Sequence, residues 1–204
     1  MREKNNPLCI SPKLVIKDTN KYGMGGFAGE IIQKRQLIKI LSGEIISLDE
    51  CIRRVVAGNE RMDDPLQIGI EMYIDLDYSS RAFNHSCDPN AGLRKDSELF
   101  ALKNIKKGEE ITYDYSTTVG PNIPTSLWTM ICKCGSKNCR KEIGNILSLS
   151  EKTLQKYEKL GALQNYVWLE LKKIKKDRDG NYILPVYKDV ALSILELQKK
   201  VKRF

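Results

Sequence analysis

The first 118 residues alternate short apolar runs with glycines and charged residues, a pattern typical of short β-strands rather than long helices. Strands are predicted at residues 14–16, 30–32, 37–41, 68–70, 72–74, 99–102 and 111–115. The glycine-rich stretch 22–29 predicts a tight turn. One short helix is predicted from Ser47 to about residue 56, with Ser47 as N-cap and Glu50 at the capping-box position. The pattern indicates a mainly β-fold.

The pattern changes at Gly144, after which apolar residues recur at spacings of three and four. The residues with this spacing are Leu154, Tyr157, Leu160, Leu163, Val167, Leu171 and Ile174. Ser148 and Glu151 form a predicted capping box, and Gly161 costs about 1 kcal/mol inside a helix and can split it in two. A last amphipathic helix is marked by Val190, Ile194, Leu197 and Val201. We predict a C-terminal α-helical extension whose apolar stripes pack on the body or form a homodimer.

Length and composition indicate one globular domain with an appendage, because 204 residues with 41% hydrophobic content can bury a real core. No run of about 18 apolar residues could span a membrane. The first seven residues lack the apolar core of a signal peptide, so we expect an intracellular, reducing compartment. Most of the net charge of +8 lies in residues 146–204. This basic tail allows contact with nucleosomes or nucleic acid, but a solvated helix face has the same composition.

Four cysteines have a spacing that suggests a metal site. Cys132, Cys134 and Cys139 form C-x-C-x4-C, with Gly135 in the turn, and tetrahedral zinc needs a fourth ligand. Cys87 is the natural candidate, so the sequence predicts one structural zinc. The alternatives are a disulfide framework or buried free thiols, although Cys132 and Cys134 are too close together to bridge easily.

Three motifs occur together in a recognisable order. They are Asn84-His85-Ser86-Cys87, then Gly108-Glu109-Glu110-Ile111-Thr112-Tyr113-Asp114-Tyr115, then the C-x-C-x4-C segment. The combination resembles the SET-domain protein lysine methyltransferases with a post-SET zinc segment. The resemblance implies a SET-type fold of small curved sheets, with a knot-like crossing of the segments around Asn84 and Tyr115. It divides the chain into a SET domain (12–118), a post-SET zinc segment (119–144) and the helical extension (145–204).

The resemblance also implies a chemistry, the transfer of methyl groups from S-adenosylmethionine to the side-chain amine of lysine in a protein. Tyr115 matches the catalytic tyrosine, and Tyr113 matches the position that limits the number of methyl groups. Tyr73 is similar to a further aromatic residue of the lysine channel. Cofactor binding falls to Tyr22, Gly23, Met24, Gly25, Asn84 and His85, together with Tyr115. We expect His85 to bind and brace rather than to transfer protons.

The substrate class follows from the family by analogy alone. Histone tails are the default substrate, with mono- or dimethylation favoured and action in the nucleus or on chromatin, or in the cytoplasm where no chromatin is present. Residues 59–77 carry six acidic residues against the single basic Arg61, which favours a basic peptide because similar proteins line the substrate groove here. Two other readings stay open. One is a catalytically silent, zinc-stabilised binding module that recruits partners through its tail, and the other is a nucleic-acid-associated protein.

Overall fold

The computed structural model describes residues 14–21, 23–58, 64–125 and 128–185. Its strands are β1 (Leu14–Asp18), β2 (Met24–Ala28), β3 (Leu37–Ile40), β4 (Gly43–Ser47), β5 (Leu66–Gln67), β6 (Met72–Leu76), β7 (Asn84–His85), β8 (Ala91–Arg94), β9 (Glu98–Ala101), β10 (Thr112–Tyr113), β11 (Met130–Ile131), β12 (Glu142–Ile143), β13 (Lys175–Lys176) and β14 (Tyr182–Ile183). Its helices are α1 (Leu48–Val56), α2 (Glu151–Leu160) and α3 (Asn165–Lys173), with 3-10 turns at Tyr115–Thr117 and Ile146–Ser148. The predicted mainly β-fold followed by helices is confirmed. Tyr22 and the helix predicted at residues 190–201 lie outside the described residues.

The strands form small sheets, two of them three-stranded, in the orders β3-β9-β8 and β4-β6-β5. Their pairings are antiparallel, whereas β7 and β10 pair in parallel. In this parallel pair Asn84 lies opposite Thr112, and His85 lies opposite Tyr113. The two motifs are therefore adjacent in space, as the predicted crossing of these segments requires.

The main core lies between these sheets and is made almost wholly of aliphatic side chains. Ile32, Ile38, Leu93, Leu99 and Ile105 have no exposed area. In β3, Ile38 is buried while the adjacent Leu37 and Lys39 are half-buried, because successive strand residues point to opposite faces. Burial of this aliphatic surface is the main driving force for folding of the body.

The helices begin and end where local hydrogen bonds allow. The predicted cap of α1 is confirmed, because Ser47 Oγ accepts the Glu50 N–H at 3.2 Å. The predicted cap of α2 is wrong, because Ser150, not Ser148, accepts the Thr153 N–H. The split at Gly161 is confirmed, since Gly161 ends α2 in the left-handed region with φ of 66°.

The two C-terminal helices pack on the body, which is one of the two predicted arrangements. Tyr157, Ala162 and Val167 are buried in a second cluster that includes Phe100 of β9. The approach is close, because a Cβ added to Gly92 of β8 would lie 2.8 Å from the Ala162 Cβ. The apolar face of these helices is therefore used within the chain.

Four predicted boundaries are corrected. Most of stretch 22–29 is strand β2, and the turn lies earlier, around Asn20 and Gly23, both of which have positive φ. Residues 30–32 contribute only an isolated bridge at Ile32, and the strand predicted at 68–70 lies at β5 instead. The strand predicted at 111–115 stops at Tyr113, because Asp114 accepts the Ser116 N–H and begins a 3-10 turn. Among the described residues, none of the helices has the length and hydrophobicity needed to cross a bilayer.

Candidate active site and metal centre

One cavity of about 900 Å³ collects most of the predicted functional residues. Those that line it are Gly23, Met24, Tyr73, Asn84, His85, Tyr113, Tyr115, Cys132 and Cys134. Gly25 is an exception among the described cofactor residues. It is buried in β2, where a Cβ would lie 2.5 Å from Thr19 Cγ2, so this glycine serves close packing rather than the cavity surface. Gly23 differs, since a Cβ there would enter open space.

Tyr115 is held by hydrogen bonds of both its side chain and its backbone. Its hydroxyl donates to the Phe83 carbonyl oxygen at 2.9 Å, and its backbone N–H donates to His85 Nδ1 at 3.2 Å. Its ring centroid lies 4.8 Å from that of Tyr113 and 5.4 Å from that of His85. Because the hydroxyl proton faces Phe83, the lone pairs of the oxygen can accept from a ligand in the cavity.

Tyr113 and Tyr73 reach the cavity from different sheets, β10 and β6, and both are more than nine-tenths buried. Burial raises the pKa of both hydroxyls well above the ordinary value of 10. Both therefore stay protonated at neutral pH, so they can donate hydrogen bonds but cannot act as bases.

Asn84 ties the two predicted cofactor segments together. Its side-chain Nδ2 donates to the Met24 carbonyl oxygen at 3.1 Å and to Glu110 Oε1 at 2.8 Å. Both amide hydrogens are thus used by the protein. The amide oxygen is left to accept, and a positively charged ammonium is the kind of donor that suits it.

His85 is neutral and has a defined tautomer. The pKa of its imidazole is lowered from 6.5 to about 4, because burial and the charge of Arg140 together outweigh the opposing charge of Asp114. Since Nδ1 accepts the Tyr115 N–H, the ring proton lies on Nε2, which is 3.3 Å from Cys87 Sγ. His85 therefore connects Tyr115 to the cysteine cluster and is poorly suited to proton transfer at neutral pH.

The predicted metal ligands lie together although 45 residues separate Cys87 from Cys132. The Sγ of Cys132 is 3.7 Å from that of Cys87 and 3.7 Å from that of Cys139. Four sulfurs at 2.3 Å from a tetrahedral zinc lie about 3.8 Å apart, so these spacings fit. The ligand atoms of His85, Cys87, Cys132 and Cys134 also fall within 4.8 Å of one another.

The group that lies within this distance contains His85 and not the predicted ligand Cys139, whose Sγ is close to that of Cys132. Tetrahedral zinc needs four ligands, so either His85 or Cys139 would complete the site. The hydrogen-bond pattern favours the four thiolates, because the protonated Nε2 of His85 has no lone pair to give and is placed to donate to Cys87. Backbone N–H groups also donate to sulfur, from Cys87 to Cys134 and from Arg140 to Cys87. Burial raises the pKa of Cys87 and Cys132. At Cys134 burial also raises the pKa, but hydrogen bonds from the backbone N–H groups of Cys87 and Ser136 and from the Cys132 and Cys139 side chains outweigh it and lower the pKa to about 6, which favours a thiolate there.

A buried polar network beside the site was not predicted from the sequence. Asp114, which is 1% exposed, accepts two hydrogen bonds at 2.7 Å from the Arg140 guanidinium and one at 2.9 Å from the Tyr157 hydroxyl. Asp114 lies between the two site tyrosines, and Arg140 follows Cys139. The only available sequence signal was the position of these charged residues directly beside predicted site residues.

The acidic segment is less negative in the structure than in the sequence. Asp75 pairs with Arg54 and Arg81, and Asp64, which lines the cavity, lies 3.6 Å from Arg81. Asp77 accepts from the hydroxyls of Ser42 and Ser79. Two of the six acidic residues, Glu60 and Asp63, lie outside the described residues. The segment does line the cavity, but its charge is partly compensated within the chain.

Comparison with known sequences agrees with this geometry. Residues 23–116 match the sequence model of the SET domain, and this part of the chain is a SET domain. The match covers both motifs of the parallel β7–β10 pair.

Several similar proteins carry names from one enzyme class. The chain is 33% identical over 154 residues to histone-lysine N-methyltransferase ASHR3 of Arabidopsis thaliana, which covers 69% of this chain and 30% of that protein. It is 30% identical over 177 residues to histone-lysine N-methyltransferase SUV39H1-A of Danio rerio, a match that covers 66% of this chain and 40% of that protein. It is 32% identical over 152 residues to the probable histone-lysine N-methyltransferase set-23 of Caenorhabditis briggsae, a match that covers 65% of this chain and 61% of that protein. The chain thus covers less than two-thirds of each relative.

Proposed function

We propose that this protein transfers methyl groups from S-adenosylmethionine to the side-chain amine of lysine in a protein substrate. The observation that carries the proposal is one cavity lined by Gly23, Asn84 and His85 together with the buried Tyr113 and the half-buried Tyr115. The names of the similar proteins support histone tails as the substrate class and chromatin as the place of action. The partly compensated acidic segment gives weaker support for a basic peptide.

Bound S-adenosylmethionine would supply a methyl group on a positively charged sulfur. An amine nitrogen that approaches the methyl carbon in line with the carbon–sulfur bond takes the methyl group, and the sulfur leaves as a neutral thioether. The chain's part is to align the two reactants, because such a displacement needs close, collinear approach. We assign the backbone at Gly23 and Met24 and the amide oxygen of Asn84 to the cofactor's amino-acid end. The Tyr115 oxygen, fixed by Phe83, can accept weak C–H hydrogen bonds from a group next to the sulfur.

The substrate amine must be neutral to attack. The cavity favours this form, because apolar side chains such as Leu48, Ile123 and Trp128 line it and burial disfavours a charged ammonium. Neither Tyr113 nor Tyr73 can remove the proton at neutral pH, so the amine is expected to enter after losing it to water. Methylation should therefore become faster as the pH rises towards the pKa of lysine.

Tyr113 is proposed to limit the number of methyl groups. Its hydroxyl can accept from the amine or donate to it, and its ring occupies space beside Tyr115 that a methylated amine needs in order to rotate into line. Mono- and dimethyl-lysine are the expected products. Tyr73 is proposed to form a further wall of the lysine channel.

One zinc ion is proposed to bind Cys87, Cys132, Cys134 and Cys139. Bound zinc would link the end of the Asn84–Cys87 motif to the segment that follows β11. Cys132 and Cys134 also line the cavity, so the bound zinc would fix one side of it. The role of the zinc is structural, because four thiolates leave no open coordination position.

The test is a pair of hydroxyl deletions with a matched control. Tyr115→Phe should lower kcat at least about tenfold, or 1.4 kcal/mol, while the cofactor still binds, because the lost contact is mainly to the reacting groups. Tyr113→Phe should keep activity and shift the product ratio towards higher methylation by about fivefold, the equivalent of one hydrogen bond of about 1 kcal/mol. Tyr182→Phe removes the hydroxyl of an exposed tyrosine on β14 and should change neither.

Intact-mass analysis of a single-lysine histone peptide after exhaustive reaction reads out all three variants. Wild-type protein that trimethylates efficiently would refute the role of Tyr113. Wild-type protein that binds S-adenosylmethionine in calorimetry but methylates no protein would instead favour the silent binding module.

A further inference from the structure

The C-terminal helices contact the segments that carry the site tyrosines. We define the cavity wall as residues 66–73, which include β5 and Tyr73, and residues 113–120, which include Tyr113 and Tyr115. We call α2, α3 and their capping residues (150–173) the helical unit. Three of its side chains make hydrogen bonds to the cavity wall: Tyr157, Gln164 and Tyr166.

Gln164 makes the most specific of these contacts. Its side chain is completely buried, and its Nε2 donates to the Gln67 carbonyl oxygen at 3.0 Å and to the Asp96 carbonyl oxygen at 2.6 Å. Gln67 lies opposite Tyr73 in the β5–β6 pair. The Gln67 side chain in turn accepts the Gly120 N–H at 3.0 Å. One glutamine thus connects the start of α3 to both parts of the cavity wall.

The position of Gln164 in its helix argues against a purely local role. Gln164 is the N-cap of α3, yet its side chain makes no capping hydrogen bond. Its Oε1 is buried without a hydrogen-bond partner among the described residues, which is costly. An ordinary capping residue or an apolar side chain would avoid this cost, so the two bonds to remote carbonyls are what the glutamine contributes.

Tyr166 and Tyr157 reach the second part of the wall. The Tyr166 hydroxyl donates to the Thr118 carbonyl oxygen at 3.3 Å, and a Cβ on Gly120 would lie 2.9 Å from that hydroxyl. The Tyr157 hydroxyl donates to Asp114, between Tyr113 and Tyr115. The helices thus fit the wall closely at two further points.

The cavity wall depends on external support, because its own strands are very short. β5 and β10 each have two residues, and a strand pair of this length does not hold its shape alone. We propose that α2 and α3 set the shape of the substrate cavity, with Gln164, Tyr166 and Tyr157 as positioning residues for Tyr73, Tyr113 and Tyr115. The inference rests on the proposed function, since it assigns these helices a part in selecting the lysine side chain.

The test compares Gln164→Met with Ser150→Ala in the full chain. Gln164→Met keeps the side-chain length and removes both donors. Ser150→Ala removes the N-cap of α2, which destabilises the helical unit without touching the wall. For Gln164→Met we expect the KM of a histone peptide to rise at least fivefold and the methylation-state ratio to shift, with cofactor affinity within twofold of wild type. For Ser150→Ala we expect lower thermal stability with wild-type KM and products.

Hydrogen exchange read by mass spectrometry gives a readout that does not need turnover. Backbone amides of residues 66–73 should exchange faster in Gln164→Met, while those of β1 and β2 keep wild-type rates. Tyr157→Phe, which loses one hydroxyl, serves as the second variant if Gln164→Met does not fold, and it should speed exchange at residues 113–117. Unchanged local exchange, or equal kinetic effects of Gln164→Met and Ser150→Ala, would overturn the inference. If wild-type protein shows no methyl transfer, the proposed function fails, and the exchange data still decide whether the helices hold the wall.

Discussion

The buried ion pair between Arg140 and Asp114 offers the sharpest test of how the metal segment is attached to the site. Arg140→Gln removes the guanidinium that donates two hydrogen bonds to Asp114. Asp114 is 1% exposed, so the variant leaves a carboxylate without its cation in a site that water does not reach. Such a loss typically costs about 3–5 kcal/mol.

Residual contacts place the expected value at the lower end of this range. The Tyr157 hydroxyl and the Ser116 N–H still donate to Asp114 in the variant. We therefore expect the free energy of unfolding to fall by about 3 kcal/mol. Adding Asp114→Asn should recover part of this loss, because the neutral amide no longer needs a cation.

Urea denaturation followed by tryptophan fluorescence measures the change. Arg53→Gln is the matched control, because it also breaks an arginine–carboxylate pair, with Glu50, but on a side chain that is 69% exposed. The control should lie within the error of the measurement, since exposed pairs contribute little. Equal effects of the two variants, or no recovery in the double variant, would refute the reasoning that burial of Asp114 sets the energy.

Three further predictions follow from the described contacts. Cys87→Ser should release the zinc from the full chain, although the other three ligands are remote in sequence, and elemental analysis that finds full retention would contradict this. His85 is the only histidine, and burial lowers its pKa from 6.5 to about 4, so the unfolded chain takes up its proton first as the pH falls. In zinc-free protein the free energy of unfolding should therefore decrease between pH 6.5 and pH 4, by at most about 1.4 kcal/mol per pH unit, and a flat urea-denaturation profile would contradict it. Gly92→Ala should destabilise the chain by about 1–3 kcal/mol, mainly through a clash with Ala162, and Ala162→Gly in the same chain should restore part of the stability in thermal unfolding, because the contact with Leu102 remains.

Local features of the fold were predictable because their causes lie within a few residues. The Ser47 cap works through a hydrogen bond to a residue three positions later, and Gly161 ends α2 because glycine adopts the left-handed conformation without strain. The wrong cap at Ser148 shows the limit of this approach. Ser148 and Ser150 are chemically identical, and the choice depends on the 3-10 turn before the helix, in which Ser148 donates to the Asn145 carbonyl.

Tertiary contacts decided the strands that were placed wrongly. The stretch 24–28 has a turn-like composition, yet it pairs with β1 along its full length, because the glycines there allow close approach to Thr19 and Phe83. The predicted strand ends before Tyr115, because the Asp114 carboxylate accepts the Ser116 N–H and the Asp114 carbonyl accepts the Thr117 N–H in a 3-10 turn. The two tyrosine rings still meet, through a bend rather than through the alternation of a strand.

The motifs predicted which residues meet at the site because their spacing and order are set by the chemistry of the side chains. The support behind the site leaves no such pattern. Gln164 binds the backbone carbonyls of Gln67 and Asp96, 97 and 68 residues away, and Tyr166 binds that of Thr118. Every residue has a carbonyl, so the identity of the side chain at these positions carries no record of the contact. In the sequence, a glutamine beside an apolar stripe looks like a solvent-exposed residue. Only its complete burial and its hydrogen bonds in the structure indicate that it supports the cavity wall.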